Sequence, residues 1–427
     1  MLAPRKRPLP LLAAFTFLVV ILFYPRHADR IYLQWLSTVD SPTPQWTQPA
    51  NKTLGFGAVI VVSAPESPRL YSLRQQAAVT DIVLTVPQQP EWTEGDVRRF
   101  RNGQEKGVQK GSILAWMGHH HALQAFLDSG LETALILEDD VDWDIRLRSI
   151  QIPLAANAAR SLLPPSKRSA RFAKSDEKHV QYWGNPKSWD LLYLGHCGDY
   201  FNEVTYEGLV PQDRPFNLTD LPHVVYTDPT LPIRDELHPF TQELFEALKI
   251  PEHHRAIHRS KFPLCSFGYA VTRPAAERLL SDLAPPKLKP KGARAFDVAL
   301  LHACSKGSKT PSPTPYRNPK PHPDPKLRHK YASPGLRCWT VNSELFHHMP
   351  GASQIAEIGQ AIGEKAGIPP VDLAGQTQVS ERNETTNIGC GFWDGSFAFE
   401  LDDVERLEML QEQVGRQGRC LKPGRDL

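Results

Sequence analysis

The chain has 427 residues, enough for a full hydrophobic core and for two or three domains. Its 49 Lys and Arg against 47 Asp and Glu give a formal net charge of +2, so overall charge provides no attraction to nucleic acid. The 39 prolines are concentrated in a few stretches, which predicts irregular loops decorating a folded core.

Arg5, Lys6 and Arg7 precede an apolar run at 9–24, followed by Pro25, Arg26 and His27 with no small-x-small cleavage site. The run is short for a membrane span, and a cleaved signal peptide is the other reading; the flanks favour a signal anchor. Basic residues on its N-terminal side predict a cytosolic tail at 1–8 and a lumenal remainder. That is a single-pass type II protein of the Golgi or endoplasmic reticulum membrane, whose thin bilayer suits a short span. A polar, proline-rich stem follows at 25–53, and the folded domain is expected over 54–427. Sequons at Asn51, Asn217 and Asn383 agree with a lumenal location. So does an even count of 6 cysteines, none in a Cys-x-x-Cys zinc spacing. Cys304 and Cys338 flank a loop and Cys390 and Cys420 share the C-terminal segment; six buried free thiols is the alternative.

Within the domain, "AVIVVS" (58–63) and "DIVLTVP" (81–87) read as buried strands, with "RLYSLRQQAAV" between them as a helix. This β-α-β unit predicts parallel pairing and an α/β fold. "GSILAWMGHHHALQAFLDSG" (111–130) predicts an amphipathic helix capped by Ser112 and closed by Gly130. "TALILEDD", "SWDLLYLG" and "CSFGYAVT" add three strands, the last feeding a helix from Thr272. "DDVERLEMLQEQV" predicts a C-terminal helix with an Asp402/Glu405 capping box. Three stretches read as insertions: 164–178, 202–263 and the Pro/Lys-rich 305–334.

The stretch "ALILEDDVDWD" (134–144) sets five carboxylates directly after an apolar strand. In α/β sheets ligands bind beyond the carboxyl ends of strands. Like charges so close destabilise one another unless a cation neutralises them. Oxygen donors suit a hard ion such as Mn²⁺ or Mg²⁺, which can bridge the phosphates of a nucleotide. In an extended chain Glu138 and Asp140 share one side, so these two, with Asp142 as an extra ligand, are the expected metal site. Asp139 points the other way, toward ribose or neighbouring backbone. The competing reading is a solvated acidic turn. Three consecutive histidines, 119–121, project in three directions and cannot chelate one ion; His120 falls in the apolar stripe and reads as a core histidine.

These blocks together resemble glycosyltransferase family 25, which includes lipopolysaccharide-type glycosyltransferases and collagen galactosyltransferases. "VIVVSAPESPRLYSLRQQ" is similar to the family's first strand and arginine-bearing helix. "AWMGHHHALQ" is similar to its histidine helix, with Gly118 where serine is usual. "ALILEDDVDWD", "WDLLYLGHC", "CSFGYAVTRPAAERLL", "FDVALLHAC" and "CWTVNSELFHHMPGASQI" follow in the family's order. The resemblance covers about 58–355 between the insertions. It implies a GT-A fold, a Rossmann-like mixed sheet flanked by helices. It implies inverting transfer of a sugar, galactose by family weighting, from a UDP-linked donor to a hydroxyl of a glycan, glycoprotein or glycolipid, with Mn²⁺ commonly bound. Carried onto this chain, it assigns Ser63, Arg69, His119 and Asp139 to the donor. Glu138, Asp140 and Asp142, with a late ligand from His347 or His348, take the metal. Asp297 is the candidate general base, with a helix cap as its simpler role, and Asp140 acts at the reacting diphosphate. A non-catalytic glycan-binding or scaffold protein on the same fold is the alternative.

Overall fold

A computed structural model describes residues 48–65, 67–104, 108–164, 181–199, 204–205, 208–209, 218, 221–308, 335–349, 384–400 and 402–423. The expected tail and anchor, nearly all of the stem, the sequons at Asn217 and Asn383, and most of 164–178 and 305–334 lie outside the described residues. Among the described residues no helix is long and apolar enough to cross a membrane. The folded unit begins at Gln48, with Ala50 and Leu54 already buried.

Strand β1 (Ala58–Val62), helix α1 (Arg69–Val79) and strand β2 (Leu84–Thr85) form the expected unit with β2 parallel to β1, but β2 is a two-residue edge strand, and the buried strand expected over 81–87 is not formed: Val83 and Thr85 are exposed. Thr93 opens α2 (Glu94–Arg101) through a reciprocal capping box with Asp96, a Thr-x-x-Asp signal the sequence reading passed over. Helix α3 (Lys110–Asp128) starts after Gln109, so Ser112 lies inside it rather than at its cap; Gly130, at φ +76°, ends the turn beyond it. Strands β3 (Thr133–Glu138) and β4 (Val141–Trp143) flank the acidic turn, and α4 (Ile152–Leu162) follows.

The remaining elements are β5 (Leu191–Gly195), β6 (Gly198–Asp199), β7 (Val204–Thr205), β8 (Gly208–Leu209), β9 (His223–Thr227), α5 (Pro239–Leu248), β10 (His254–Arg259), β11 (Pro263–Leu264), β12 (Gly268–Thr272), α6 (Arg273–Arg278), α7 (Phe296–Ser308), β13 (Cys338–Asn342), β14 (Phe346–His348) and α8 (Val404–Leu410). The principal sheet runs β2-β1-β3-β12-β5-β13-β10-β9, with β14 bridging β5 and β4. It is mixed: β1 and β3 are parallel, as are β5 and β13, while β12 runs antiparallel between β3 and β5.

Alternation along the strands explains their continuous apolar sequence. Val59, Val61, Leu135 and Leu137 enter one core with Trp143, Trp189 and Phe346. Ala58, Ile60, Ala134 and Ile136 enter the other with Trp116, Phe126 and Tyr269. Both faces are covered, so both residue sets must be apolar.

The 202–263 stretch is not wholly an insertion: β9 and β10 extend the principal sheet. "HRAIHR" does not look like a buried strand, because Arg255 is charged. It is buried because Nε donates to Asp228 Oδ2 at 2.6 Å, while Nη1 donates to the Ser343 and Glu344 carbonyls, both at 2.7 Å. All six cysteines are paired, as Cys197–Cys265, Cys304–Cys338 and Cys390–Cys420, which overturns the free-thiol alternative. The C-terminal helix is capped by Asp403, which accepts from Arg406 N, one residue later than the expected box.

Candidate active site

The carboxylates after β3 divide into two groups with different surroundings. The strand ends at Glu138 and the chain turns at Asp139–Asp140, so the extended geometry that would pair Glu138 with Asp140 does not persist. Asp139 and Asp140 are paired instead, by Arg69. Its guanidinium lies 2.9 Å from Asp139 Oδ1 and 3.5 Å from Asp140 Oδ2. The hydroxyl of Ser63, just past β1, donates to Asp139 Oδ2 at 2.7 Å. His348 Nε2 lies 3.1 Å from Asp140 Oδ2, and Met349 N donates to the Asp140 carbonyl at 2.7 Å, pinning the end of β14 to the turn. Burial raises the Asp139 carboxyl above its ordinary range despite Ser63 and Arg69. Burial also opposes the charge on Asp140, but the hydrogen bond and charge of His348, with Arg69, outweigh it and hold that carboxyl low. Asp140 Oδ1 is buried and has no hydrogen-bond partner among the described residues.

Glu138 faces a neighbouring cluster. Its Oε1 is 3.2 Å from His119 Nε2 and accepts from Ser266 Oγ at 3.1 Å. His119 is stacked on Phe296, with centroids 4.3 Å apart, and its Nδ1 is 3.3 Å from the Tyr269 hydroxyl. Asp297, next to Phe296 in the first turn of α7, is half-buried and accepts from Val298 N at 2.8 Å. Burial pushes its carboxyl up and the nearby Glu138 charge adds to the effect. His120 points elsewhere, to the Ala284 carbonyl, and desolvation lowers it to about 4; it is half-buried rather than enclosed in the core. Gly118 has a steric reason: a Cβ there would lie 3.0 Å from both Gln89 Nε2 and Val62 Cγ1.

Asp142 and Asp144 belong to the structural group. Asp142 accepts from Thr385 Oγ1 at 2.6 Å, Trp143 N at 2.8 Å and Phe392 N at 2.9 Å, and is fully buried. Asp144 holds Arg146 at 2.7 and 2.8 Å and accepts from Cys390 N at 3.0 Å. Together they fasten the segment at 384–399 over the core. A Cβ at Gly391 would fall 2.3 Å from Asp142 Oδ2, so glycine permits this close approach. The extra ligand expected of Asp142 is therefore corrected to an anchoring role, because its lone pairs are occupied by protein donors. His347 is likewise turned from Asp140 and bound to the buried Glu344 carboxylate, which also accepts from Asn387 at 2.8 Å. Of the two late histidines, His348 meets the acidic turn.

The sequence reading missed Ser266, Tyr269, Phe296 and Glu344, which position Glu138, His119 and His347. Phe296 carried a signal, being adjacent to Asp297 at the start of a helix.

For Mn²⁺ or Mg²⁺ the nearest donors are Asp140 Oδ1, without a hydrogen-bond partner among the described residues, and the His348 imidazole, whose Nε2 lies 3.1 Å from Asp140 Oδ2. Among the described residues no three His, Cys, Asp or Glu side chains are grouped to hold an ion by themselves. An ion bound by one or two carboxylates and completed by phosphate oxygens and water needs no such cage. The residues present fit a metal that shares its coordination with a diphosphate. A scan against protein-family models finds no match, and a search of curated proteins finds none either.

Proposed function

We propose that the chain is a metal-dependent, inverting glycosyltransferase of GT-A architecture, with a UDP-linked sugar as donor. Galactose is the family-weighted donor sugar, and a glycan, glycoprotein or glycolipid hydroxyl is the acceptor. The proposed setting is the Golgi or endoplasmic reticulum lumen, behind a type II anchor. One observation carries the reading: Arg69 spans Asp139 and Asp140 beside an unpartnered carboxylate oxygen, at the carboxyl ends of two parallel strands.

A diphosphate needs positive charge at its oxygens and a counter-charge to hold that charge in place. Arg69 and the N-terminus of α1 supply the first; Asp139 and Asp140 hold the Arg69 guanidinium in place. Held by Asp140 and His348, a divalent ion would supply Lewis-acid stabilisation of the departing diphosphate. Asp297 takes the proton of the acceptor hydroxyl, and its raised carboxyl pKa makes it the stronger base. The acceptor oxygen bonds to the anomeric carbon as the bond to the diphosphate breaks and that electron pair leaves with the diphosphate. Glu138, fixed by Ser266 and His119, keeps negative charge beside the base.

The non-catalytic reading is favoured by a different feature: Asp139 and Asp140 are already engaged by Arg69 and His348 within the protein. The two separate by experiment. Residues 48–427, with disulfides intact, are tested for UDP release from a panel of UDP-sugars, with Mn²⁺ and with chelator, beside Asp140→Ala. Metal-dependent release lost in the variant supports the transferase. If no sugar is turned over, titration with UDP and Mn²⁺ follows, and absence of binding by the folded protein rejects it for the glycan-binding alternative.

A further inference from the structure

Helix α3 presents two functional faces. His119 serves the carboxylate site, while Met117, His121 and Gln124, at helical spacing, line a separate cavity of about 470 Å³ facing α2. That volume lies within the range of small-molecule sites, about 300–1,000 Å³. None of its lining residues is a candidate donor or metal residue.

We propose that this cavity is a binding subsite for a neutral saccharide, a pyranose ring or disaccharide. Three features select that chemistry. The first is an apolar floor: Trp92, Phe100 and Met117 line the cavity, and the Trp92 indole N–H is buried, so the ring meets the cavity with its carbon surface. A pyranose has an apolar C–H face that packs against such a surface. The second is unused hydrogen-bonding capacity around that floor. Gln124 Nε2 is committed to Asp128 at 2.8 Å, leaving its carbonyl oxygen as an acceptor. His121 is half-buried and its imidazole has no partner among the described residues. The third is cancelled charge. Asp96 is paired with Arg99 across one turn of α2, and His120, lowered to about 4 by burial, is neutral at physiological pH. A phosphate or carboxylate finds no net positive charge here, whereas a polyol needs none. The inference uses none of the residues of the transferase reading and holds whichever reading of the carboxylate site is correct.

The test uses the full-length chain and a panel of methyl pyranosides of glucose, galactose, mannose and N-acetylglucosamine, with lactose and cellobiose, titrated by saturation-transfer NMR. Uridine and inorganic phosphate are run beside them. At least one saccharide is expected to bind, about tenfold more weakly to Trp92→Ala and to Gln124→Ala and with unchanged affinity to Trp92→Phe and Asp140→Ala, where tenfold corresponds to about 1.4 kcal/mol. Gln124 is exposed, so its variant keeps the test sharp if Trp92→Ala fails to fold. The proposal is overturned if no saccharide of the panel binds. It is equally overturned if binding survives both alanine variants, if Asp140→Ala abolishes it, or if uridine or phosphate occupies the cavity in its place.

Discussion

Replacing Asp142 and Asp140 separately by alanine should give opposite phenotypes, although the two residues are neighbours in one acidic run. Asp142→Ala strands three buried donors: Thr385 Oγ1, Trp143 N and Phe392 N. A stranded buried donor costs about 1–3 kcal/mol. Relief from burying a carboxylate whose pKa is raised offsets part of the sum, leaving a loss of about 3–6 kcal/mol. That is a large share of a total stability of about 5–15 kcal/mol. Asp140→Ala removes partners that reach solvent, Arg69 with 38% and His348 with 20% side-chain exposure, so water replaces the lost contacts. Asp140 is itself buried, so the cost is about 1–3 kcal/mol, below that of Asp142→Ala, while metal-dependent UDP release disappears. The assay pairs denaturant unfolding, disulfides intact, with donor hydrolysis. An Asp142→Ala protein as stable as the parent but unable to release UDP would refute the division of the cluster and return Asp142 to the metal.

Three further outcomes follow from the same structure. Asp297→Asn should lower kcat for transfer by about 10²–10⁴-fold while leaving UDP affinity in titration unchanged, as removal of a general base does. Breaking Cys390–Cys420 with Cys420→Ser should cost about 3–4 kcal/mol in an unfolding titration, the loop entropy for a separation of 30 residues. Glu384, beside Lys422, is raised by burial from 4.5 to about 7. The unfolded chain loses this proton first, so the stability Glu384 contributes is full below its unfolded pKa and is lost as pH rises through about 7, in all about 3 kcal/mol. Unfolding midpoints at about pH 5 and about pH 8 should therefore differ less in Glu384→Gln than in the parent.

The parallel strands and helices near the site were legible because both their faces are buried, which writes continuous apolar runs into the sequence at 58–62 and 134–137. Strand β10 was not legible, since its burial depends on Asp228 and on carbonyls at 343–344, remote in the chain. The acidic run was legible as a place but not as a geometry. Period-two reasoning paired Glu138 with Asp140, whereas the turn at Asp139–Asp140 gave both aspartates to Arg69 and left Glu138 to His119. Asp142 could not be separated from its neighbours by sequence alone, because the donors that claim it come from Thr385 and Phe392. For the same reason Ser266 and Tyr269 became visible only once β12 was set beside β3.

The segment at 384–399 also fixes when this protein can finish folding. Phe392 and Phe397 complete the core around Trp143, and Gln411 donates to the Ala78 carbonyl at the end of the helix that bears Arg69. During synthesis the first strands and the acidic turn emerge long before these partners do, and they must wait with Trp143 uncovered and Asp142 unsatisfied. A chain cut short before residue 384 is left with Trp143 without its aromatic cover and Asp142 without its donors.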